Sequence, residues 1–253
     1  MRNTIKERVL DKALFLKQAS EISSKDFENI QSCLVLVTHP EDKPLGCAGL
    51  IAMLVSRNVE IAVLLATDEV PSPRDFKNCA SEEVRLIRKE PICTQLEVLG
   101  AKNYKVTFFE GKGASLPARN HPNFDALAHK IAGTVKQEKP QLILAPFELD
   151  PSGNNHATRQ LLREALKDFG YAKVWEYPIG LYPTAQEQDL PGLNPGELKR
   201  LNIAEFLQAK EMAGKSHVST SKNNPADDIT GPGSEMTAIS SAEHEYYIER
   251  DRK

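Results

Sequence analysis

A chain of 253 residues, 40% hydrophobic and formally −3 at neutral pH, is long enough to close one sizeable core. It lacks the basic excess that a nucleic-acid surface needs. Its apolar runs fall well short of the roughly 18 residues of a membrane-spanning helix.

The opening residues, Met-Arg-Asn-Thr-Ile-Lys-Glu-Arg, are charged. A secretory leader needs an unbroken apolar stretch, so a cytoplasmic protein is expected. Ile5, Val9, Ala13 and Leu16 recur at near-helical spacing and predict an amphipathic helix over 4–19. Residues 33–38, Cys-Leu-Val-Leu-Val-Thr, form a β-branched apolar run, the pattern of a strand covered on both faces. The pattern then alternates. A helix is predicted over 46–57, a strand over 59–66, and a helix over 82–99 opened by Ser81, with Glu82 and Glu83 in its first turn. Pro91 falls inside that helix and is expected to kink or break it. A strand at 104–109, a helix at 123–138, a strand at 141–146, a helix at 156–168 and a strand at 172–177 follow. A further helix is predicted over 203–215, then a polar segment over 216–240 holding Asn-Asn-Pro and Gly-Pro-Gly. So long a loop is either functional or poorly ordered, and residues 242–248 could return as an edge strand.

Five alternations of strand and helix predict an α/β fold, a Rossmann-like three-layer sandwich with a mostly parallel sheet of five or more strands. A single domain over 1–253 is expected, with 1–31 as a helical N-terminal extension and 216–253 as a C-terminal loop and edge strand. Cys33, Cys47, Cys79 and Cys93 form no C-x-x-C pair, which predicts reduced, buried thiols rather than a zinc knuckle.

Ligands of open parallel sheets bind beyond the carboxyl ends of the strands. There this sequence places Thr38-His39-Pro40-Glu41-Asp42-Lys43, Thr67-Asp68-Glu69, Glu110-Gly111-Lys112-Gly113, and Asp150-Pro151-Ser152-Gly153-Asn154-Asn155-His156. Singly, each polar residue is a plain loop or capping residue. Together they bring imidazoles, carboxylates and amides to one rim. His39 and Asp42 are close enough in sequence to share one cation, and His156, at a helix start on the same rim, is the natural third ligand. Imidazole and carboxylate suit Zn²⁺, at bond lengths of about 2.0–2.2 Å, and a catalytic zinc keeps a fourth position open for water. Glu41 lies between the first two, where a carboxylate can act as general base.

His39-Pro40-Glu41-Asp42 followed by Leu45-Gly46-Cys47-Ala48-Gly49 resembles the His-Pro-Asp-Asp-Glu, Leu-Gly-Cys-Gly-Gly signature of the PIG-L/LmbE-like N-deacetylases. Thr67-Asp68 is similar to that family's Thr-Asp-Gly. Arg88-Lys89-Glu90, nine residues before Leu99-Gly100, resembles its Arg-x-Glu helix, and 140–156 resembles its second metal motif. Lys210 and His217 resemble a Lys…His pattern near the C-terminus of some members. The resemblance spans roughly 33–217. It implies zinc, or another divalent metal, held by His39, Asp42 and His156, with Glu41 as general base. It also puts Arg88 against a sugar, with Asp150, Asn155 and His217 on the substrate side. The implied activity is hydrolysis of an N-acetyl group from a glucosamine-containing small molecule by a metal-activated water. Neither nucleic acid nor a membrane is implied as a partner, and a homo-oligomer is left open.

Three positions depart from the family pattern. Glu41 is one methylene longer than the usual aspartate, Lys43 replaces a glutamate, and Gly153 stands where many members carry a histidine. His217 or His121 is a candidate replacement. A second reading therefore stands beside the first: a weakened or inactive relative that binds sugar or metal. A dinucleotide-binding turn is disfavoured because Gly46 and Gly49 lack the G-x-G-x-x-G spacing. No G-x-S-x-G occurs to suggest a nucleophile elbow. His121, His129 and His244 read as surface or capping residues, and Trp175 and Tyr177 as core or rim.

Overall fold

The computed structural model describes residues 16–38, 46–66, 81–108, 116–148, 153–170, 172–178, 195–221 and 242–250, with backbone alone at 81–85, 87–88, 195 and 217–221. Eight strands form one sheet: β1 (Ser20–Glu21), β2 (Ser32–Val37), β3 (Glu60–Leu65), β4 (Tyr104–Phe108), β5 (Leu142–Pro146), β6 (Lys173–Tyr177), β7 (Leu198–Asn202) and β8 (His244–Ile248). Helices α1 (Ala48–Ser56), α2 (Ser81–Val98), α3 (Phe124–Glu138), α4 (Gly153–Ala165) and α5 (Leu207–Ser221) connect or cover them.

The spatial order is β1-β7-β8-β6-β5-β2-β3-β4. Every neighbouring pair is parallel except the two that β8 makes with β6 and β7. β2 and β5 are apolar and buried along almost their whole length because helices cover both faces of the sheet. Cys33, Val35 and Val37 point into a core shared with α1, α2 and α5, while Leu34 and Leu36 point into one shared with α3 and α4. Strand alternation thus sorts consecutive residues of β2 between two cores, and the three-layer sandwich follows. Among the described residues no helix is long and apolar enough to cross a membrane.

Several expectations need correction. α2 continues through Pro91 as one element from Ser81 to Val98. Proline forfeits one helical hydrogen bond, and burial of Ile92 and Leu96 in the next turns holds the helix on the sheet regardless. α4 begins at Gly153 rather than at His156, so Asn154 and Asn155 share the first turn with it. β8 is not an edge strand; it lies between β7 and β6, with Glu245 and Tyr247 fully buried. α5 extends to Ser221 because no proline interrupts it before Pro225. The expected loop is therefore helical over 216–221, and 222–240 lie outside the described residues. β7 and β1 were not anticipated. Of the expected N-terminal helix, residues 4–15 also lie outside the described residues.

Candidate active site

The chain builds β2, β3 and β4 outward in one direction, then returns to lay β5 on the opposite side of β2. Strand order reverses there, and at such a switch point the two connecting loops diverge and leave a crevice. Cys33, Leu34 and Val35 pair in parallel with Leu142, Ile143 and Leu144. The segment after β2, with His39, Glu41 and Asp42, and the segment after β5, with Asp150, therefore leave neighbouring strands at the same edge. Thr38 ends the described part of the first strand, and Thr158 lies two residues past His156. Their hydroxyl oxygens are 3.5 Å apart in a fully buried position.

The glycines after β2 let the chain turn against the core. A Cβ at Gly46 would lie 2.4 Å from Cδ2 of the Tyr177 ring, and one at Gly49 would lie 2.6 Å from Cδ1 of Ile203. Tyr177 is in turn fixed by its hydroxyl, which donates to the Leu36 carbonyl at 2.6 Å. The Gly-x-x-Gly of the sequence is thus a packing requirement that sets where α1 starts.

On the other side of the crevice, His156 sits in the first turn of α4. Its Nδ1 is 3.3 Å from the Glu148 carbonyl oxygen and must donate to it, while the Gln160 side-chain amide nitrogen approaches Nε2 at 2.7 Å. A carbonyl can only accept, so Nδ1 directs its N–H there, and Nε2 is the ring nitrogen that faces the Gln160 side chain. That is the form in which a histidine offers Nε2 to a cation, with the backbone carbonyl orienting the ring. The imidazole is about half exposed, so release by Gln160 would open the lone pair to the crevice. Asn155, beside it, is buried, and its side-chain oxygen has no hydrogen-bond partner among the described residues. His156 is thus a donor of a type that suits a divalent metal. Among the described residues alone, no group of three or more His, Cys, Asp or Glu gathers to hold one.

Two charged residues missed at the level of sequence brace this loop. Glu176, buried in β6, accepts the Glu148 N–H at 3.0 Å and the Arg159 Nε–H at 2.9 Å. It therefore ties the end of β5 to the second turn of α4, on either side of the segment that carries Asp150. Glu148 itself accepts from Arg163 Nη2 at 2.6 Å and lies 3.6 Å from Arg250 Nη1. A glutamate inside the apolar run Val174-Trp175-Glu176-Tyr177 was the available signal, since buried carboxylates are almost always paired.

The other expected site residues divide as follows. His39, Glu41, Asp42 and Asp150 lie outside the described residues, as do Lys43, Asp68 and Cys79. Arg88 falls within α2 and His217 within α5, each described by its backbone alone. The structure thus fixes His156, Asn155 and the strand ends that carry the rest. A Cβ at Gly153 would meet nothing within 4 Å among the described residues. His121 accepts the Asn123 N–H at 3.2 Å and His129 bonds the Asp125 carbonyl at 2.7 Å, each within its own turn. Trp175 and Tyr177 are core residues, not a sugar platform. Cys33 and Cys47 are buried while Cys93 is partly exposed, and burial pushes the Cys33 thiol well above its ordinary value. A cavity of about 860 Å³ lies at the opposite, amino-terminal edge, beside Ser32, Glu60 and Tyr104, away from these residues.

A three-layer α/β fold with its candidate site at a topological switch defines a broad class. Within it, residues 34–166 match the PIG-L family, described as GlcNAc-PI de-N-acetylase, and the chain belongs to that family. A diacetylchitobiose deacetylase of Thermococcus kodakarensis is 24% identical over 123 residues, 49% of this chain and 43% of that protein. The chain thus matches less than half the length of that relative. Among solved structures, the A40926 pseudoaglycone deacetylase Dbv21 superposes with a TM-score of 0.64 at 16% identity, covering 88% of this chain and 98% of that one. GalB, the 4-carboxy-2-hydroxymuconate hydratase of Pseudomonas putida KT2440, superposes with a TM-score of 0.54 at 17% identity over 87% and 95% of the two chains. The last shows that the fold itself does not dictate deacetylation.

Proposed function

We propose that the protein is a metal-dependent amide hydrolase that removes the acetyl group from an N-acetylglucosamine-containing sugar or glycoconjugate. His39, Asp42 and His156 would hold the metal, zinc or another divalent ion. When bound, such an ion supplies a Lewis acid that makes water acidic near neutral pH and withdraws charge from an amide carbonyl. Glu41 takes the proton from the attacking water and carries it toward the leaving amine. His156 is kept in the required tautomer by the Glu148 carbonyl. Arg88 contacts the sugar, and Asp150, Asn155 and His217 lie on the substrate side. The substrate is a small molecule rather than nucleic acid, the location is cytoplasmic, and a homo-oligomer is compatible with the reading.

One observation carries most weight: the strand end leading to His39 touches, through Thr38 and Thr158, the helix bearing His156. Metal analysis of the purified protein, followed by assay of acetate release from N,N′-diacetylchitobiose and simpler N-acetylglucosamine derivatives with zinc, cobalt or manganese, tests the proposal. Acetate release that is lost with chelator supports it. Metal-loaded protein that cleaves none of these sugars rejects it.

Gly153 favours a second reading. With no imidazole at position 153 and open space beside it among the described residues, a relative that binds an amino sugar without turning it over remains chemically coherent. Saturable sugar binding with no acetate release distinguishes this reading from the first.

A further inference from the structure

A buried carboxylate from the far end of the chain closes the first turn of α1. Helix starts leave amides without intrahelical acceptors, and here Cys47 makes no side-chain cap. Glu245 of β8 takes the role from 196 and 195 residues away. Its Oε1 accepts the Gly49 N–H and its Oε2 the Leu50 N–H, each at 2.8 Å. Lys210 of α5 sets Nζ 3.1 Å from Oε1, and Tyr247 donates its hydroxyl to Oε2 at 2.6 Å. Glu245 and Lys210 are both about 1% exposed.

An isolated carboxylate in this position would be strongly disfavoured. Two backbone donors, a tyrosine hydroxyl, an ammonium and the positive end of a helix dipole compensate it. A serine or aspartate at position 47 would cap the helix equally well from within the same turn. It would satisfy the amides without tying the helix to anything else. Glu245 joins the start of α1 to β8 and, through Lys210, to α5. Gly49 lies against Ile203 at the same point, so the helix start is held from two sides.

The segment that carries His39, Glu41 and Asp42 ends where this cluster begins. At its other end, Thr38 rests against Thr158. We propose that Glu245, held by Lys210, is a positioning residue for that segment. It sets where α1 starts relative to the sheet and therefore the separation of the segment from His156. The inference rests on the metal-hydrolase reading above and adds to it a residue that touches neither metal nor substrate.

Cobalt(II) titration of the full chain, read by visible absorption at a temperature where all variants are folded, tests it. The set is wild type, Glu245→Gln, Lys210→Met and Val135→Ala, the last a core change in α3. The two cluster variants are expected to bind cobalt at least about tenfold more weakly, toward the lower end of what losing a direct support of a metal ligand costs. Val135→Ala is expected to lower the melting temperature and leave cobalt affinity within about twofold of wild type, since it removes packing alone. Unchanged affinity in Glu245→Gln, or an equal loss in Val135→Ala, overturns the proposal. Glu245→Asp, which keeps the charge and shortens the reach, replaces the glutamine variant if that one does not fold. Should wild type bind no cobalt, the metal reading fails separately, and amide hydrogen exchange decides the positioning. Faster exchange in Glu245→Gln confined to 39–50 supports it. No change, or a uniform rise across the molecule, overturns it.

Discussion

The Thr38 and Thr158 hydroxyl oxygens lie 3.5 Å apart with no solvent exposure at either residue. One ends the central strand and the other stands two positions beyond His156, so this contact spans the two halves of the candidate site. This side-chain pair in the core holds the end of β2 against α4.

His156→Ala is expected to lower metal affinity sharply, because it removes one of three proposed ligands together with the carbonyl-oriented tautomer. His156→Gln should restore little of it, since an amide cannot present the same lone pair at the same reach. Calorimetric metal titration checks both, and wild-type affinity in the alanine variant removes His156 from the ligand set.

Glu41→Gln is expected to keep the metal and lower acetate release by roughly 10²–10⁴-fold, the range for loss of a general base. The exchange preserves shape and removes the basic oxygen. Single-turnover rates on metal-loaded protein measure it, and unchanged rates would pass the role to Asp68 or Asp150.

Gly153→His is expected to fold normally, because an added Cβ there meets nothing within 4 Å. Replacing glycine in a helix also removes a backbone-entropy penalty of about 0.5–1 kcal/mol. If Gly153 limits the reaction, turnover should rise by about tenfold or more, a fraction of what general acid–base catalysis supplies. A stable variant with no gain in acetate release shows that another group already fills the role.

Arg159→Met leaves Glu176 buried without its cation, and breaking such a pair typically costs about 3–5 kcal/mol. Arg159→Met with Glu176→Gln should recover much of that loss, because no uncompensated charge remains and the amide oxygen can still accept the Glu148 N–H. Urea unfolding of the two variants tests the pairing. A single variant as stable as wild type would mean that the Glu176–Arg159 contact at 2.9 Å is energetically idle.

Gly46→Ala drives a methyl group to 2.4 Å from the Tyr177 ring, and that ring is immobilised by the Leu36 carbonyl. Overpacking of this kind costs about 1–3 kcal/mol. Gly196→Ala, where a Cβ meets nothing within 4 Å, serves as the control. Thermal melts should separate the two variants clearly.

The central strands were legible because burial on both faces leaves an unbroken apolar run, as in Leu34 to Val37 and Leu142 to Ala145. β7 was not, since Lys199 and Arg200 in its middle read as loop while only Leu198 and Leu201 point inward. Local pattern likewise put β8 at an edge. Its place between β6 and β7 depends on Glu245 reaching Leu50, 195 residues away, and on Tyr247 reaching the Trp175 ring, which no window of sequence displays. The site showed the same division. His156 was identifiable from its motif, but its tautomer depends on Glu148 and Gln160, and the bracing of its loop depends on Glu176. Those partners are fixed by packing rather than by spacing.

The placement of β8 also orders events during synthesis. Until the ribosome has passed residue 248, β7 has no strand through which to join the sheet, and β6 ends it with an unpaired edge. The 71 residues between Tyr177 and Ile248 take roughly 4–14 s to add at ordinary elongation rates. Throughout that interval the nascent chain exposes an apolar parallel strand of the kind that recruits foreign strands. A stop codon or a cleavage anywhere before β8 would leave that edge open permanently, so loss of β8 should appear first as aggregation rather than as a quiet loss of activity.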